Sequence, residues 1–332
     1  MQRLDDRQAC RASVLRGVAC AALIAAGSQS VPAQDFPSKP VRMIVGAAAG
    51  SSGDVLARLI GDELAKTWKQ SVVIDNRPGA GGIIANQALL SAPADGHTLM
   101  LSAGSYLTVT PFTQKSLPYD VEKDFAPIAM AGEVPLVLGV SPNVPAADLK
   151  ELIDYARKNP GKVEFAANTP GTLPHLATMY FLHSAQVEMT YVPYKGSAAA
   201  LQDVMGGRLG MVVEGVSALA GAFKSGALRP FAVTSTQRLS ILPNVPAAGE
   251  QLPGYAAVGF FAFIGPARIS EAIVKKVNAD TNQIVVRPEV AERLAATGNF
   301  PRPMSPSELA DYLRDQRAVW GPVIKRLGFV AQ

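Results

Sequence analysis

The chain has 332 residues, 48% of them hydrophobic, which is enough to bury a substantial core and typically forms two domains. Its net charge of +4 is too small and too evenly spread for a nucleic-acid-binding protein. Both cysteines, Cys10 and Cys20, lie near the N-terminus. The remainder of the chain therefore has no disulfide, thiol nucleophile or thiolate metal site.

The first 33 residues have the pattern of a secretory signal peptide. Four arginines precede an apolar core at residues 17–26, and residues 31–33 offer a cleavage point of small or apolar residues. An amphipathic or disordered N-terminus is the alternative. Most of the apolar core follows Cys20, which argues against lipid attachment there. Since no other segment has the ~18 consecutive apolar residues of a membrane helix, we expect a soluble periplasmic protein.

From residue 36 onward, apolar β-branched runs alternate with helical patterns. VRMIVG precedes a helix from Asp54, SVVIDN precedes a helix from Ala80 to about Ser91, and HTLMLSA follows. Near-continuous apolar strands separated by helices are typical of buried parallel strands. The pattern predicts a first α/β unit over roughly residues 36–133.

The same alternation predicts a second α/β unit over residues 134–254. Its strands are PLVLGVS, VEFAA, EMTYVPY, LGMVVEG and LRPFAVT, with helices at ADLKELIDYARKN, near His175, at ALQDVMGG and at residues 217–224. The tail adds one strand, AVGFFAFIG, and two amphipathic helices, EAIVKKVNADTNQIV and PSELADYLRDQRAVWGPVIKRLG. This is too little for a third domain, so we expect the tail to return to the first unit.

The expected fold class is therefore α/β, with two lobes that are each a mostly parallel sheet flanked by helices. Lobe 1 comprises residues 34–133 and 255–332, and lobe 2 comprises residues 134–254. Two crossovers between the lobes predict a hinge beside a cleft.

Two strand-to-helix turns carry small residues and hydrogen-bond donors: GAAAGSSGD at residues 46–54 and AANTPGTLPH at residues 166–175. In open α/β sheets, ligands bind beyond the C-terminal strand ends, where the next helix presents unpaired N–H groups. The first turn lacks the spacing of phosphate-binding loops, and a helix cap with no ligand is the alternative. With one such turn in each lobe, the sequence predicts a cleft that closes on a dicarboxylate.

Several blocks resemble the Bug receptors, the TctC-type extracytoplasmic solute-binding proteins of tripartite tricarboxylate transporters. They include FPSKPVRMIV, VVIDNRPGAGGIIA, YVPYKGSAAALQDVMGGRLG and LRPFAVTSTQRLSILPNVPAAGE, and the resemblance spans residues 36–331. It implies a periplasmic receptor of the Venus-flytrap type, in which backbone N–H groups, hydroxyls and waters hold a ligand carboxylate. It also implies no cofactor and delivery to one large and one small integral membrane subunit. We expect the receptor to be a monomer.

The turns and the resemblance together predict seventeen ligand-binding residues. They are Ala47, Ala48, Gly50, Ser51, Ser52 and Asp54 in the first turn, Ser102 and Ser105 after HTLML, Asn168, Thr169, Gly171, Thr172 and His175 in the second turn, Tyr194 and Gly196 in PYKG, and Glu214 and Phe260. For His175 we prefer a structural interpretation, in which its side chain bonds to the backbone and holds the loop. For Glu214, a ligand contact and an inter-lobe structural role are both open.

The first turn departs from the family pattern, PF-x-PGG, because Gly46 and Ala47 replace Pro-Phe. Loss of the aromatic residue should open space beside the ligand. Glu214 stands where relatives often have Asp, and its extra methylene would extend the carboxylate ~1.5 Å further into the cleft. These departures predict a bulkier or aromatic carboxylate ligand.

Enzymatic activity is disfavoured. The sequence has no GxSxG motif, since Ser105 in AGSYL lacks the second glycine, and no pair of carboxylates at matched strand ends. Three scattered histidines lack metal-ligand spacing. An exported sensor that docks a membrane kinase without transport stays open, because either partner could recognise the closed lobes.

Overall fold

A computed structural model describes residues 36–167, 171–194 and 197–328, so the predicted signal peptide lies outside the described residues. The strands are β1 (Val41–Val45), β2 (Val72–Asn76), β3 (Thr98–Ala103), β4 (Phe125–Val140), β5 (Glu164–Ala167), β6 (Thr190–Pro193), β7 (Met211–Gly215), β8 (Arg229–Val233) and β9 (Val258–Pro266). The helices are α1 (Ser52–Trp68), α2 (Ile83–Leu90), α3 (Gly104–Thr108), α4 (Thr110–Thr113), α5 (Leu149–Lys158), α6 (Leu173–Ala185), α7 (Ser197–Met205), α8 (Val216–Lys224), α9 (Glu271–Val285), α10 (Pro288–Ala296) and α11 (Pro306–Arg326).

These strands form a mixed sheet in the order β2-β1-β3-β9-β4-β7-β5-β6, with β8 also paired to β4. β1 runs parallel to β2 and β3, and β5 runs parallel to β6 and β7. The strands β9 and β4 run antiparallel to their neighbours and stand between these two parallel sets. We call β2, β1, β3 and β9 the first half of the sheet, and β8, β7, β5 and β6 the second half.

A single 16-residue strand, β4, joins the two halves. Its segment from Phe125 to Pro135 pairs with β9, and its segment from Leu136 to Val140 pairs with β7 and β8. The sequence analysis predicts only its second segment, because prolines and glycine interrupt the first and usually argue against a strand interior. Pairing with β9 nevertheless holds this segment in a strand. The register of the pairing shifts near Pro127 and Gly132, and these irregularities accommodate the proline and glycine residues. The expected lobe boundary, between residues 133 and 134, lies next to this change of pairing partner.

The fully buried Thr234 links the two segments that cross between the halves. Its hydroxyl accepts a hydrogen bond from the Leu136 amide at 3.0 Å and donates one to the Ala257 carbonyl at 2.6 Å. Its own amide donates to the Leu136 carbonyl, and the Ala257 amide donates to the Thr234 carbonyl, both at 2.9 Å. Since Ala257 immediately precedes β9, one side chain connects both crossings of the predicted hinge.

The long helix α11 also contacts both halves. Leu309 and Leu313 are buried in the core of the first half, whereas Trp320, Val323 and Ile324 are buried in a core of the second half. The amphipathic pattern predicts this helix, and the expected lobe assignment places all of it in lobe 1. In the structure, its C-terminal part packs against the second half.

Helices cover both faces of the sheet, as β1 illustrates. Ile44 belongs to the core that includes Leu89 of α2. On the opposite face, Met43 lies close to Gly61 of α1, where an added Cβ would come within 3.8 Å of it. Successive strand residues face opposite sides, so a strand covered on both faces is apolar throughout. No helix among the described residues is long and apolar enough to cross a membrane.

The helix α10 and the short helices α3 and α4 are not among the predicted elements. The sequence analysis ends a helix at Val285 and begins the next at PSELA. In the structure, α10 follows α9 after a break of only two residues and starts at Pro288. Proline is well tolerated at that position of a helix. The segments α3 and α4 have five and four residues, which is too short for a helical period to be recognised.

Candidate ligand-binding site

A cleft of about 680 Å³ lies where strand ends from both halves of the sheet meet. Its described lining consists of Gly50, Ser51, Ser52 and Val55 from the β1–α1 turn and α1, Ala103, Gly104 and Ser105 from the β3–α3 junction, Val134 and Leu136 from β4, Leu173 and Pro174 from α6, Glu214, Gly215, Ser217 and Ala218 from the β7–α8 junction, Gly259, Phe260 and Phe261 from β9, and Ala296 and Thr297 from the end of α10. Both halves therefore contribute walls to one cleft.

The structure places six of the predicted site residues in this lining: Gly50, Ser51, Ser52, Ser105, Glu214 and Phe260. Eight others are described but do not line the cleft: Ala47, Ala48, Asp54, Ser102, Gly171, Thr172, His175 and Tyr194. Asn168, Thr169 and Gly196 lie outside the described residues.

Asp54 holds the first turn in place from within the protein. Its side chain is only 2% exposed and accepts hydrogen bonds from the Gly50 amide at 2.9 Å and the Asn76 side chain at 3.1 Å. Arg58 donates two more, each at 3.0 Å. The hydrogen bond from Arg58 is the largest cause that lowers the pKa of this carboxyl, from 3.8 to about 2. Asp54 thus uses the Gly50 amide, which the sequence analysis assigned to the ligand.

Other donors of the turn are also used internally. The Ser51 amide donates to the Ala48 carbonyl at 3.2 Å, and the Ser51 hydroxyl caps α1 by accepting from the Asp54 amide at 3.3 Å. The amides of Ser52 and Gly53 stand at the start of α1, where no carbonyl of the preceding helical turn exists. Within the described part of the chain, these two amides have no hydrogen-bond acceptor.

Tyr106 fixes the beginning of the first turn. Its hydroxyl donates to the Gly46 carbonyl at 2.8 Å, and its ring packs between Gly46 and Gly82. An added Cβ would lie 2.5 Å from the ring at Gly46 and 2.3 Å at Gly82, so only glycine leaves room for it. Burial raises the pKa of Tyr106. The ring fills the space beside Gly46, and Ala47, where we expected extra room for a ligand, is outside the lining.

The second turn is described from Gly171 onward. The Gly171 amide donates to Nδ1 of His175 at 3.4 Å, and the buried imidazole packs against the ring of Tyr191, with centroids 4.8 Å apart. Burial lowers the pKa of His175 and favours the neutral ring, which is the form that accepts from Gly171. This geometry agrees with the loop-holding role that we preferred for His175. Thr172 is the N-cap residue of α6, whose first residue, Leu173, enters the cleft.

The floor of the cleft is apolar and comes largely from β9. The ring of Phe260 packs so closely on Gly104 that a Cβ added to Gly104 would lie 2.3 Å from the ring. A Cβ added to Gly53 would likewise lie 2.9 Å from the ring of Phe261. Leu173 packs on Gly259, where an added Cβ would lie 2.9 Å from the leucine side chain. These contacts bring α1, α3 and α6 against one strand. The sequence analysis names Phe260 as a ligand-binding residue, but these packing contacts are not among its predictions.

Two further predicted residues have different surroundings. Tyr194 is not among the described lining residues, and its hydroxyl donates to Asp203, which is the main cause of its raised pKa. Glu214 is the penultimate residue of β7, pairs with Val137 of β4 and lies in the cleft wall. Among the described lining residues, only Glu214 has an ionisable side chain. Within the same part of the chain, no group of three or more His, Cys, Asp and Glu side chains could hold a metal ion.

The chain matches the family model described as "Tripartite tricarboxylate transporter family receptor" over residues 56–329. The protein BugT of Bordetella pertussis is 35% identical over 300 residues, which cover 90% of this chain and 92% of BugT. Among solved structures, R. palustris Rpa4515 with adipate is 31% identical with a TM-score of 0.80, covering 90% of this chain and 100% of that chain. MatC (Rpa3494) from Rhodopseudomonas palustris with bound malate is 29% identical with a TM-score of 0.73, covering 87% and 100%.

Proposed function

Because the chain belongs to the TctC family of tripartite tricarboxylate transporter receptors and has the two-lobed fold of periplasmic solute-binding proteins, we propose that it captures a small carboxylate in the cleft between its lobes. The receptor would deliver this carboxylate to one large and one small integral membrane subunit of a transporter. Residues 34–133 and 255–332 would form lobe 1 and residues 134–254 lobe 2, with the leader directing export to the periplasm.

The observation that carries this proposal is the cleft of about 680 Å³ that is lined by residues of both halves of the sheet. Its volume is within the range of small-molecule sites. The start of α1 contributes Ser52, whose amide has no partner in a preceding helical turn, and Ser105 adds a hydroxyl from the β3–α3 junction. Neutral donors at a helix start favour an anion. Two structures similar to this chain were solved with the dicarboxylates adipate and malate.

Delivery would depend on lobe closure. A ligand that contacts both walls binds the closed form more tightly than the open form and so increases its population. The two crossings, joined through Thr234, would serve as the hinge. The membrane subunits would then distinguish the loaded receptor by its closed shape.

The test is a thermal-shift screen of residues 34–332, unfolded and refolded beforehand to remove any copurified ligand. The panel contains aliphatic and aromatic mono-, di- and tricarboxylates. A ligand that binds only the folded state raises its stability by RT ln(1 + [L]/Kd), so a carboxylate at 100 times its Kd adds about 2.7 kcal/mol. A rise in Tm confined to one class of carboxylates supports the proposal, and no rise with any carboxylate refutes it.

Transport is tested separately in the cell. Deletion of the gene should abolish uptake of the radiolabelled carboxylate that gives the largest thermal shift, and a plasmid copy should restore uptake. Uptake that is unchanged by deletion would refute delivery to a transporter while leaving ligand capture intact.

A further inference from the structure

The helix α10 is attached to the first half of the sheet through α1. Glu63 of α1 is 7% exposed, and its carboxylate pairs with Arg287, the N-cap residue of α10, and with Arg293 within α10, each at 3.5 Å. Val290 and Leu294 of α10 are fully buried. We therefore expect α10 to move with the first half when the lobes open or close.

The helix α8, in contrast, belongs to the second half. Val216 and Leu219 are buried in one core with Val212 of β7. The first turn of α8 lines the cleft through Ser217 and Ala218. Because the end of α10 also lines the cleft, this wall is made of two helices that belong to different halves.

The two helices meet at Gly298, which directly follows Thr297, the C-cap residue of α10. A Cβ added to Gly298 would lie 3.1 Å from the amide nitrogen and 3.2 Å from the hydroxyl oxygen of Ser217. Ser217 and Ala296 line both the cleft and a neighbouring cavity of about 600 Å³, whereas Gly298 lines the cavity but not the cleft. The contact between Gly298 and Ser217 therefore separates the cleft from this cavity, and the missing side chain lets the two segments approach closely.

This contact lies close to the predicted hinge. Two residues beyond Gly298, Phe300 exchanges two backbone hydrogen bonds of 2.8 Å with Glu133, next to the expected lobe boundary. The ring of Phe300 packs against a core of the second half. In a rotation about a hinge, displacement grows with distance from the axis, so a small separation at Gly298 becomes larger across the cleft.

On the basis of the proposed function, we propose that Gly298 is a positioning residue for ligand binding, whose contact with Ser217 forms as the lobes close and seals the cleft between α8 and α10. Gly298 acts through the closed form and does not touch the ligand. A side chain at this position holds the two helices apart and lowers the fraction of receptor that can close. The apparent Kd then rises in inverse proportion to that fraction.

Gly226 is a matched control, because both glycines end a helix. Gly298 has a φ of +74° after α10, and Gly226 has a φ of +72° after α8. Each amide donates to the carbonyl three residues earlier. A Cβ added to Gly226 would meet no described atom within 4 Å apart from its chain neighbours. Alanine therefore introduces the same backbone strain at both positions, but it obstructs a contact between the halves only at Gly298.

The test combines calorimetric titration with stopped-flow kinetics on refolded wild-type protein, Gly298→Ala and Gly226→Ala. The probe is the member of the carboxylate panel, with adipate and malate included, that gives the largest thermal shift with the wild-type protein. We expect Gly298→Ala to raise the Kd at least about fivefold, or ~1 kcal/mol, and Gly226→Ala to leave it within about twofold. The rise should come from faster dissociation at a nearly unchanged association rate, because the probe first meets the open form and the added methyl group destabilises the closed complex.

A second pair of variants, Gly298→Asn and Gly226→Asn, repeats the comparison with less backbone strain. Asparagine tolerates a positive φ better than alanine and carries the same Cβ. This pair decides the question if Gly298→Ala does not fold. We expect the same order of affinities, with only the Gly298 variant weakened.

Three outcomes would overturn the inference. The first is a folded Gly298 variant that binds the probe with the wild-type Kd. The second is an equal loss of affinity in the matching Gly226 variant, which would show that helix-end strain alone is responsible. The third is a loss of affinity that comes from slower association. In all three cases the wild-type protein still binds the probe and the proposed function stands, whereas failure of every carboxylate to bind refutes the proposed function and this inference with it.

Discussion

Replacement of Asp54 by Asn should destabilise the protein by removing the group that organises the first turn of the cleft. The buried carboxylate accepts from the Gly50 amide, from Asn76 and twice from Arg58. An asparagine keeps the size of the side chain but has one acceptor oxygen in place of two, and its amide group would face a donor. The variant therefore loses charge and hydrogen bonds without creating a cavity.

The magnitude follows from the pKa of Asp54. A fall from 3.8 to about 2 corresponds to about 2.4 kcal/mol of folding free energy at neutral pH, at 1.36 kcal/mol per pH unit. Because the Arg58 side chain is 54% exposed, solvent screens part of this interaction, and we expect about 1–2 kcal/mol. A lowered carboxyl pKa stabilises the fold above pH ~4. This contribution decreases as the pH falls toward 2, and about half of it should be lost by pH 3.

The assay is urea denaturation of wild-type protein and Asp54→Asn at pH 7, 5 and 3. Asp62→Asn is the control, because Asp62 is an exposed aspartate on the same helix. At pH 7 we expect a loss of about 1–2 kcal/mol for Asp54→Asn, which is a shift in Tm of roughly 2–3 °C, and less than about 0.5 kcal/mol for Asp62→Asn. Equal stability of the two variants, or a difference that grows toward pH 3, would refute this reasoning.

Two further changes test the hinge and the floor of the cleft. Thr234→Val removes the hydroxyl that accepts from Leu136, so we expect a loss of about 1–3 kcal/mol in urea denaturation, and a loss within 0.5 kcal/mol would contradict it. Gly104→Ala places a Cβ 2.3 Å from the ring of Phe260, so we expect about 1–3 kcal/mol of destabilisation by the same assay. The control is Gly221→Ala, because a Cβ added to Gly221 meets no described atom within 4 Å apart from its own helix backbone and chain neighbours. This control should be neutral or stabilising. Equal losses of stability for both alanine variants would contradict the packing argument.

The parts of the fold that depend on local sequence could be predicted. Strand–helix alternation predicted the parallel strands, and the helical pattern from Asp54 predicted α1, which starts two residues earlier at Ser52. The family resemblance, based on the order of sequence blocks, is confirmed by the family match over residues 56–329. The first segment of β4 could not be predicted, because its strand conformation depends on pairing with β9, more than a hundred residues away in sequence.

The candidate site was only partly predictable for the same reason. The turns that contribute Ser52 and Ser105 are local features, and the structure brings both into one cleft. The use of the Gly50 amide by Asp54 depends on a turn geometry that the sequence does not specify. The apolar surface requires β9 and β4 to be adjacent, so Val134 and Leu136 gave no local signal of a binding site.

The most direct test of the central claim, that this cleft is the ligand site, compares two bulky substitutions on one helix. Ala218 and Ala220 are both exposed on α8, but only Ala218 lines the cleft, whereas Ala220 lines a neighbouring cavity. The measurement is calorimetric titration of Ala218→Phe and Ala220→Phe with the carboxylate that most stabilises the wild-type protein. We expect Ala218→Phe to weaken binding at least about tenfold, or ~1.4 kcal/mol, and Ala220→Phe to leave the Kd nearly unchanged. Wild-type affinity in a folded Ala218→Phe variant would contradict the assignment of this cleft as the binding site.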